Sequence, residues 1–168
     1  MEQRRRFLKV ASAMAVPIAA IGSIGNSAQG ADDKRVFGTW SSVHTLPFPP
    51  GSFREFLSFS EVGVVHETNS LLHTASNIDF SSVGLPSVVN ASDGLGNWTR
   101  LRENHTQVVF RKLLFDGSRQ NFADLHVTGT VRINDQKLHA EWHIQVVDTD
   151  GNLILDFGET TSDGTRLE

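Results

Sequence analysis

Residues 122–147 constrain the fold of this chain more than any other segment, because apolar and polar side chains alternate there on both sides of a short polar break. A four-residue loop at 134–137 sets Ile133 opposite Leu138, and the register then pairs Val131 with Ala140, Gly129 with Trp142, Val127 with Ile144 and Leu125 with Val146. Every one of these residues is apolar or glycine, and Gly129 leaves room opposite the large indole of Trp142. The other face collects Arg132, His139, Thr130, Glu141, Thr128, His143, His126, Gln145 and Asp124. Side chains on a strand point alternately to two faces, so a one-residue slip would invert the whole pattern. The segment predicts an antiparallel hairpin with one buried and one wet face.

The same period of two runs through the rest of the chain from Val36 onward, and no stretch sustains helical spacing beyond one or two turns. Candidate strands are 36–44, 53–60, 63–69, 96–101, 106–115, 122–133, 138–147 and 152–158. Turn-forming residues separate them, among them Pro49-Pro50, Asp116-Gly117 and the run Asp148 to Asn152. Eight strands joined mostly by hairpins predict an all-β fold, a single antiparallel up-and-down β-barrel, since closure removes exposed edges. The exception is the long Ser-, Asn- and Gly-rich connection 70–94, of the length at which loops tend to serve as lids or insertions.

The first hairpin predicts a mixed interior. With Ser60 to Gly63 as the turn, Phe59 pairs with Val64, Leu57 with His66 and Glu55 with Thr68. The face holding Phe53, Leu57, Phe59 and Val64 is the more apolar one, so it should point inward and carry Glu55, His66 and Thr68 with it. On the preceding strand Trp40, Ser42 and His44 share a face. Apolar walls with a few convergent polar groups are the usual make-up of a small-molecule pocket. Arg111-Lys112 is awkward on a strand that is apolar on both faces: one of the two must point inward, snorkel to a rim or lie beneath the 70–94 loop.

The first thirty residues read as a leader. Arg4-Arg5-Arg6-Phe7-Leu8-Lys9 resembles the twin-arginine export signal at every position. The apolar run Val10 to Ile24 that follows is shorter than the ~20 residues of a membrane span, and the small residues Ala28 and Gly30 suit cleavage. The expected division is a signal peptide at 1–30 and a barrel domain at 31–168, periplasmic or secreted, with no stable membrane span after cleavage. The leader holds four of the 15 basic residues and one of the 19 acidic ones, leaving 11 against 18 and a formal charge of −7. That balance argues against nucleic acid as a partner, which needs clustered positive charge. Cysteine is absent, which excludes thiol catalysis and thiolate metal sites.

Gly38-Thr39-Trp40 on the first strand resembles the Gly-x-Trp signature of lipocalins and other calycin barrels. In that family the Trp packs at the closed end against an Arg near the C-terminus, and the resemblance gives that role to Arg166 in Gly164-Thr165-Arg166-Leu167. The layout is also similar to bacterial secreted lipocalin-like proteins, with a Phe-rich second strand and a central Gly96-Asn97-Trp98. The resemblance implies a small hydrophobic ligand and structural roles for Gly38, Trp40 and Arg166; no cofactor is expected. Allene oxide cyclase-type and dirigent barrels share the architecture and stay open.

Three chemistries compete within this frame. As a binding protein, the barrel would hold its ligand against Phe59, Thr68, Trp98, Phe110 and Trp142. As an enzyme (an isomerase, cyclase or lyase), it would use Glu55 with His66 and His44, since a carboxylate and an imidazole held together in an apolar site exchange protons near neutral pH. A structural module with a filled barrel is the third class. The run His139-x-Glu141-x-His143, with His126 diagonal to His143, also invites a metal, since imidazole and carboxylate two apart on a strand share a face. His139 and His143 themselves stand about 13 Å apart along an extended strand, and this polar face reads first as the solvated outside. A Ser nucleophile in a Gly-x-Ser-x-Gly turn is not present.

Overall fold

A computed structural model describes residues 36–46, 51–73, 79–81, 84–88 and 90–167. The leader expected at 1–30 lies outside the described residues. The strands are β1 (Gly38–Leu46), β2 (Gly51–Phe59), β3 (Val64–Asn69), β4 (Asn90–Ala91), β5 (Gly94–Arg102), β6 (His105–Phe115), β7 (Asn121–Asn134), β8 (Lys137–Asp148) and β9 (Leu153–Arg166). A single helical turn, α1 (Ser70–His73), follows β3. The eight longer strands pair antiparallel with their neighbours in sequence, and β1 closes on β9 to give an up-and-down barrel. The two-residue β4 is appended to the end of β6.

The β7–β8 hairpin carries the register that its alternation predicts, from Ile133 opposite Leu138 to Leu125 opposite Val146. Its apolar face is the barrel interior, where Val131, Ile133, Leu138, Ala140, Trp142 and Val146 are buried. The turns after β2, β5 and β7 lie at the end of the barrel that holds Trp40. Arg166 lies directly across from Trp40 in the sheet, with its guanidinium carbon 5.4 Å from the ring centroid, within cation–π range. Arg166 Nη2 also donates to the Phe37 carbonyl, and Trp40 Nε1 donates to the Val36 carbonyl at 3.1 Å. Gly38, at φ 114°, keeps this contact open, because a Cβ there would come within 3.2 Å of the guanidinium.

At the opposite end, described residues of the 70–94 connection lie against the barrel. Phe80, Val88 and Ala91 pack against Leu114, Ala123 and Val146 in a second apolar cluster, so these loop residues cap that end.

Besides the helical turn and the short β4 inside the expected 70–94 loop, the structure departs from the sequence expectation at the β2–β3 register and at β9. The β2–β3 register is one residue off: Phe59 pairs with Val65, Leu57 with Glu67 and Glu55 with Asn69. Gly63 adopts φ 83°, and the chain closes there through Ser60 N to Val64 O (2.9 Å) and Gly63 N to Ser60 O (3.2 Å). A left-handed glycine after a tight turn inserts one extra residue, as in a bulge. Val65, Glu67 and Asn69 therefore point inward, while Val64, His66 and Thr68 point outward. The second departure is β9, which runs on to Arg166 rather than ending near 158. Its inward residues Thr160, Ser162 and Gly164 are small or polar and carry no hydrophobic alternation, yet they fit against bulky neighbours: Trp142 lies opposite Thr160 and donates its Nε1–H to Ser162 Oγ at 2.9 Å.

Candidate functional site

Strand alternation brings ionisable and hydroxyl side chains from β1, β2, β3, β6 and β9 into the barrel interior. Ser42 and Glu55 face each other across β1 and β2, and Ser42 Oγ donates to Glu55 Oε1 at 2.9 Å. His44, one inward step further along β1, stacks on Phe53 with ring centroids 4.6 Å apart. Its Nε2 lies 2.7 Å from Thr160 Oγ1. Its Nδ1 is buried, has no hydrogen-bond partner and stands 3.6 Å from Glu55 Oε2. Glu55 and His44 are only 2% and 3% exposed, which puts a carboxylate and an imidazole together inside a largely apolar shell.

A second pair sits on the neighbouring strands. Lys112 Nζ donates to Glu67 Oε2 at 2.6 Å, with both side chains 1% exposed. Asn69 Nδ2 donates to the other carboxylate oxygen, Oε1, at 2.7 Å. Gly94 lies across from Glu67, and its missing side chain makes the room: a Cβ there would meet the Phe110 ring and come within 2.9 Å of Glu67 Oε2. Burial pushes the Glu67 carboxyl above its ordinary range, against the opposing pull of the Lys112 charge and hydrogen bond and that of Asn69, with Glu55 adding repulsion. The two pairs are neighbours in the sheet, since Glu55 lies across from Asn69, which in turn holds Glu67.

Of the residues that the sequence nominates, Glu55 and His44 come together inside. His66 does not join them. The extra residue at Gly63 turns it outward, where it is half-exposed and faces Asp93 Oδ2 at 3.5 Å. Thr68 turns outward with it. Phe59, Trp98, Phe110 and Trp142 are all inward and buried, with edge-on contacts between Phe59 and Trp98 (6.3 Å) and between Phe110 and Trp142 (5.9 Å). Of Arg111-Lys112, Lys112 is the inward residue, and Glu67 supplies the countercharge that the sequence reading lacked. The signal that could have found Glu67 is Gly63 itself, whose left-handed turn shifts Glu67 rather than His66 to the inner face.

Two histidines of the outer face, His139 and His143, bind carboxylates of β8 and β9. His143 Nδ1 lies 2.9 Å from Glu159 Oε1, and its Nε2 lies 3.1 Å from Asp156 Oδ2. His139 Nδ1 lies 2.7 Å from Asp163 Oδ1, while Glu141 stands 3.9 Å from the other ring nitrogen. His126, half-buried, is held below its ordinary pKa by burial and by the Arg111 charge. Among the described residues no three His, Cys, Asp or Glu side chains are arranged to hold a metal ion, so His126, Glu141 and His143 do not converge as the sequence invited.

Fold and interior together define a class: a closed, eight-stranded up-and-down barrel, consistent with lipocalin-like architecture, with a buried Glu67–Lys112 ion pair and a buried Glu55–His44 carboxylate–imidazole pair inside it. Compared with known proteins, the chain matches no family model, no curated protein and no solved structure. Among the described residues no helix is long and apolar enough to cross a membrane.

Proposed function

We propose that this protein is an exported barrel of the bacterial secreted lipocalin-like type, and that it binds a small hydrophobic molecule carrying one polar group. The observation that carries this reading is the pairing of aromatic walls (Trp98, Phe110, Trp142) with the buried Glu55–His44 and Glu67–Lys112 pairs. Taking ionisable groups out of water costs several kcal/mol each, and well-packed apolar residues in their place are often equally or more stabilising. Two such pairs are therefore poorly explained by stability alone. The apolar walls would hold the body of the ligand and the pairs its polar group.

Native mass spectrometry of the protein with hexanol, octanol, decanol and dodecanol tests the reading. A saturable one-to-one complex with one of these alcohols is expected; no complex with any of them would favour a filled, structural barrel. Export by the twin-arginine route is tested by replacing Arg4 and Arg5 with Lys, which should leave the protein in the cytoplasm.

One observation favours a second reading, an isomerase, cyclase or lyase. His44 Nδ1 is buried without a hydrogen bond, 3.6 Å from Glu55, and a pair at that separation exchanges a proton after a small closure. In this reading His44 takes the role that the sequence assigned to His66. Glu55→Gln would then abolish turnover while ligand affinity persists.

A further inference from the structure

We propose that Lys112 is an imine-forming residue, and that the barrel captures hydrophobic aldehydes covalently, with Glu67 as the proton carrier and counterion. The inference rests on the small-molecule reading above and adds a ligand class and a reacting atom. A surface lysine is a hydrated ammonium and a poor nucleophile. A lysine drawn into an apolar site, with one carboxylate to take its proton, is the usual setting for a reactive amine. Lys112 meets both conditions: it is 1% exposed, and its Nζ lies 2.6 Å from Glu67 Oε2. Phe110 and Trp142 meet edge-on on the same inner wall, which suits an apolar ligand body.

The steps balance within the pair. Glu67 Oε2 takes a proton from the Lys112 ammonium, and the free amine adds to the carbonyl carbon while the C=O π pair moves to oxygen. A proton passes from nitrogen to that oxygen, giving a carbinolamine. Protonated Glu67 returns its proton to the hydroxyl, which leaves as water as the C=N bond forms. The product is a cationic iminium beside an ionised Glu67, with the same net charge as the starting ion pair. The elevated proton affinity that burial gives Glu67 suits the first step.

A depression of about 210 Å³ is lined by Arg54, Phe56, Thr68, Asn69 and Ser70. Asn69, which lines this depression, is also the residue that holds Glu67 Oε1.

The experiment is reductive trapping on the full chain. The protein is mixed with one equivalent of decanal and sodium cyanoborohydride, digested, and mapped by mass spectrometry across Lys9, Lys34, Lys112 and Lys137. The expected result is alkylation concentrated at Lys112, ahead of the exposed Lys137, and its loss in Lys112→Arg, which keeps the charge. The mapping on the unaltered protein stands even if that variant fails to fold. If decanol binds but decanal alkylates only the other lysines or none, the imine proposal is overturned and the binding reading survives. If neither the alcohols nor the aldehyde bind, both fall.

Discussion

Gly129 faces Trp142 across the β7–β8 ladder so closely that a Cβ on Gly129 would overlap the indole edge and crowd the Glu141 carbonyl. Both neighbours are fixed, one by the packed core and the other by the sheet, so neither can yield cheaply. Gly129→Ala should destabilise the barrel by ~1–3 kcal/mol, the range for overpacking a close-packed interior. Chemical denaturation checks this: the midpoint should fall with an unchanged denaturant slope.

That contact was legible in the sequence because two long strands with strict alternation leave one register that segregates apolar from polar residues. Eight strands and their order were legible for the same reason, helped by turn residues at the corners, whereas the Trp40–Arg166 contact was implied only by the resemblance of Gly38-Thr39-Trp40 to the lipocalin signature. The candidate site was half legible. Glu55 and His44 lie on strands whose inward face is marked by Phe53, Leu57 and Trp40. Glu67 was hidden because β3 is short and the left-handed Gly63 adds one residue ahead of it, which inverts every face from Val64 to Asn69, while Lys112 was legible only as one of the pair Arg111-Lys112, because β6 is apolar on both faces. Thr160 and Ser162 were hidden because small polar residues facing inward leave no hydrophobic pattern, although they serve the packing of Trp142.

The Lys112–Glu67 pair should behave as a coupled unit. Lys112→Met leaves a buried carboxylate without its cation and should cost ~3–5 kcal/mol. Adding Glu67→Leu removes the stranded charge, so the double variant should be more stable than the sum of the two single changes implies. A double-mutant cycle by chemical denaturation reads the coupling directly, and strict additivity would contradict the ion pair.

On the outer face, His143 should make stability depend on pH. The Glu159 hydrogen bond, joined by the Asp156 charge, holds His143 above its ordinary value of 6.5, outweighing partial burial. A histidine whose pKa is raised on folding stabilises the native state fully below its unfolded pKa and loses that contribution as pH rises through its folded pKa. The difference in Tm between the native protein and His143→Gln should therefore be larger at about pH 5 than at about pH 9. The pair is partly solvated, so the difference should also shrink in high salt.

The most direct test of the central claim, that the barrel interior around His44 and Glu55 receives a ligand, is an NMR titration with the tightest-binding alcohol of the series. The indole N–H of Trp142 and the ring protons of His44 should shift together and saturate at one equivalent, while the ring of His66, outside the barrel, should stay in place. Glu55→Gln should alter the His44 response without abolishing the Trp142 shift. Shifts confined to outer residues such as His66, or no saturable shift at Trp142 and His44, would contradict the account.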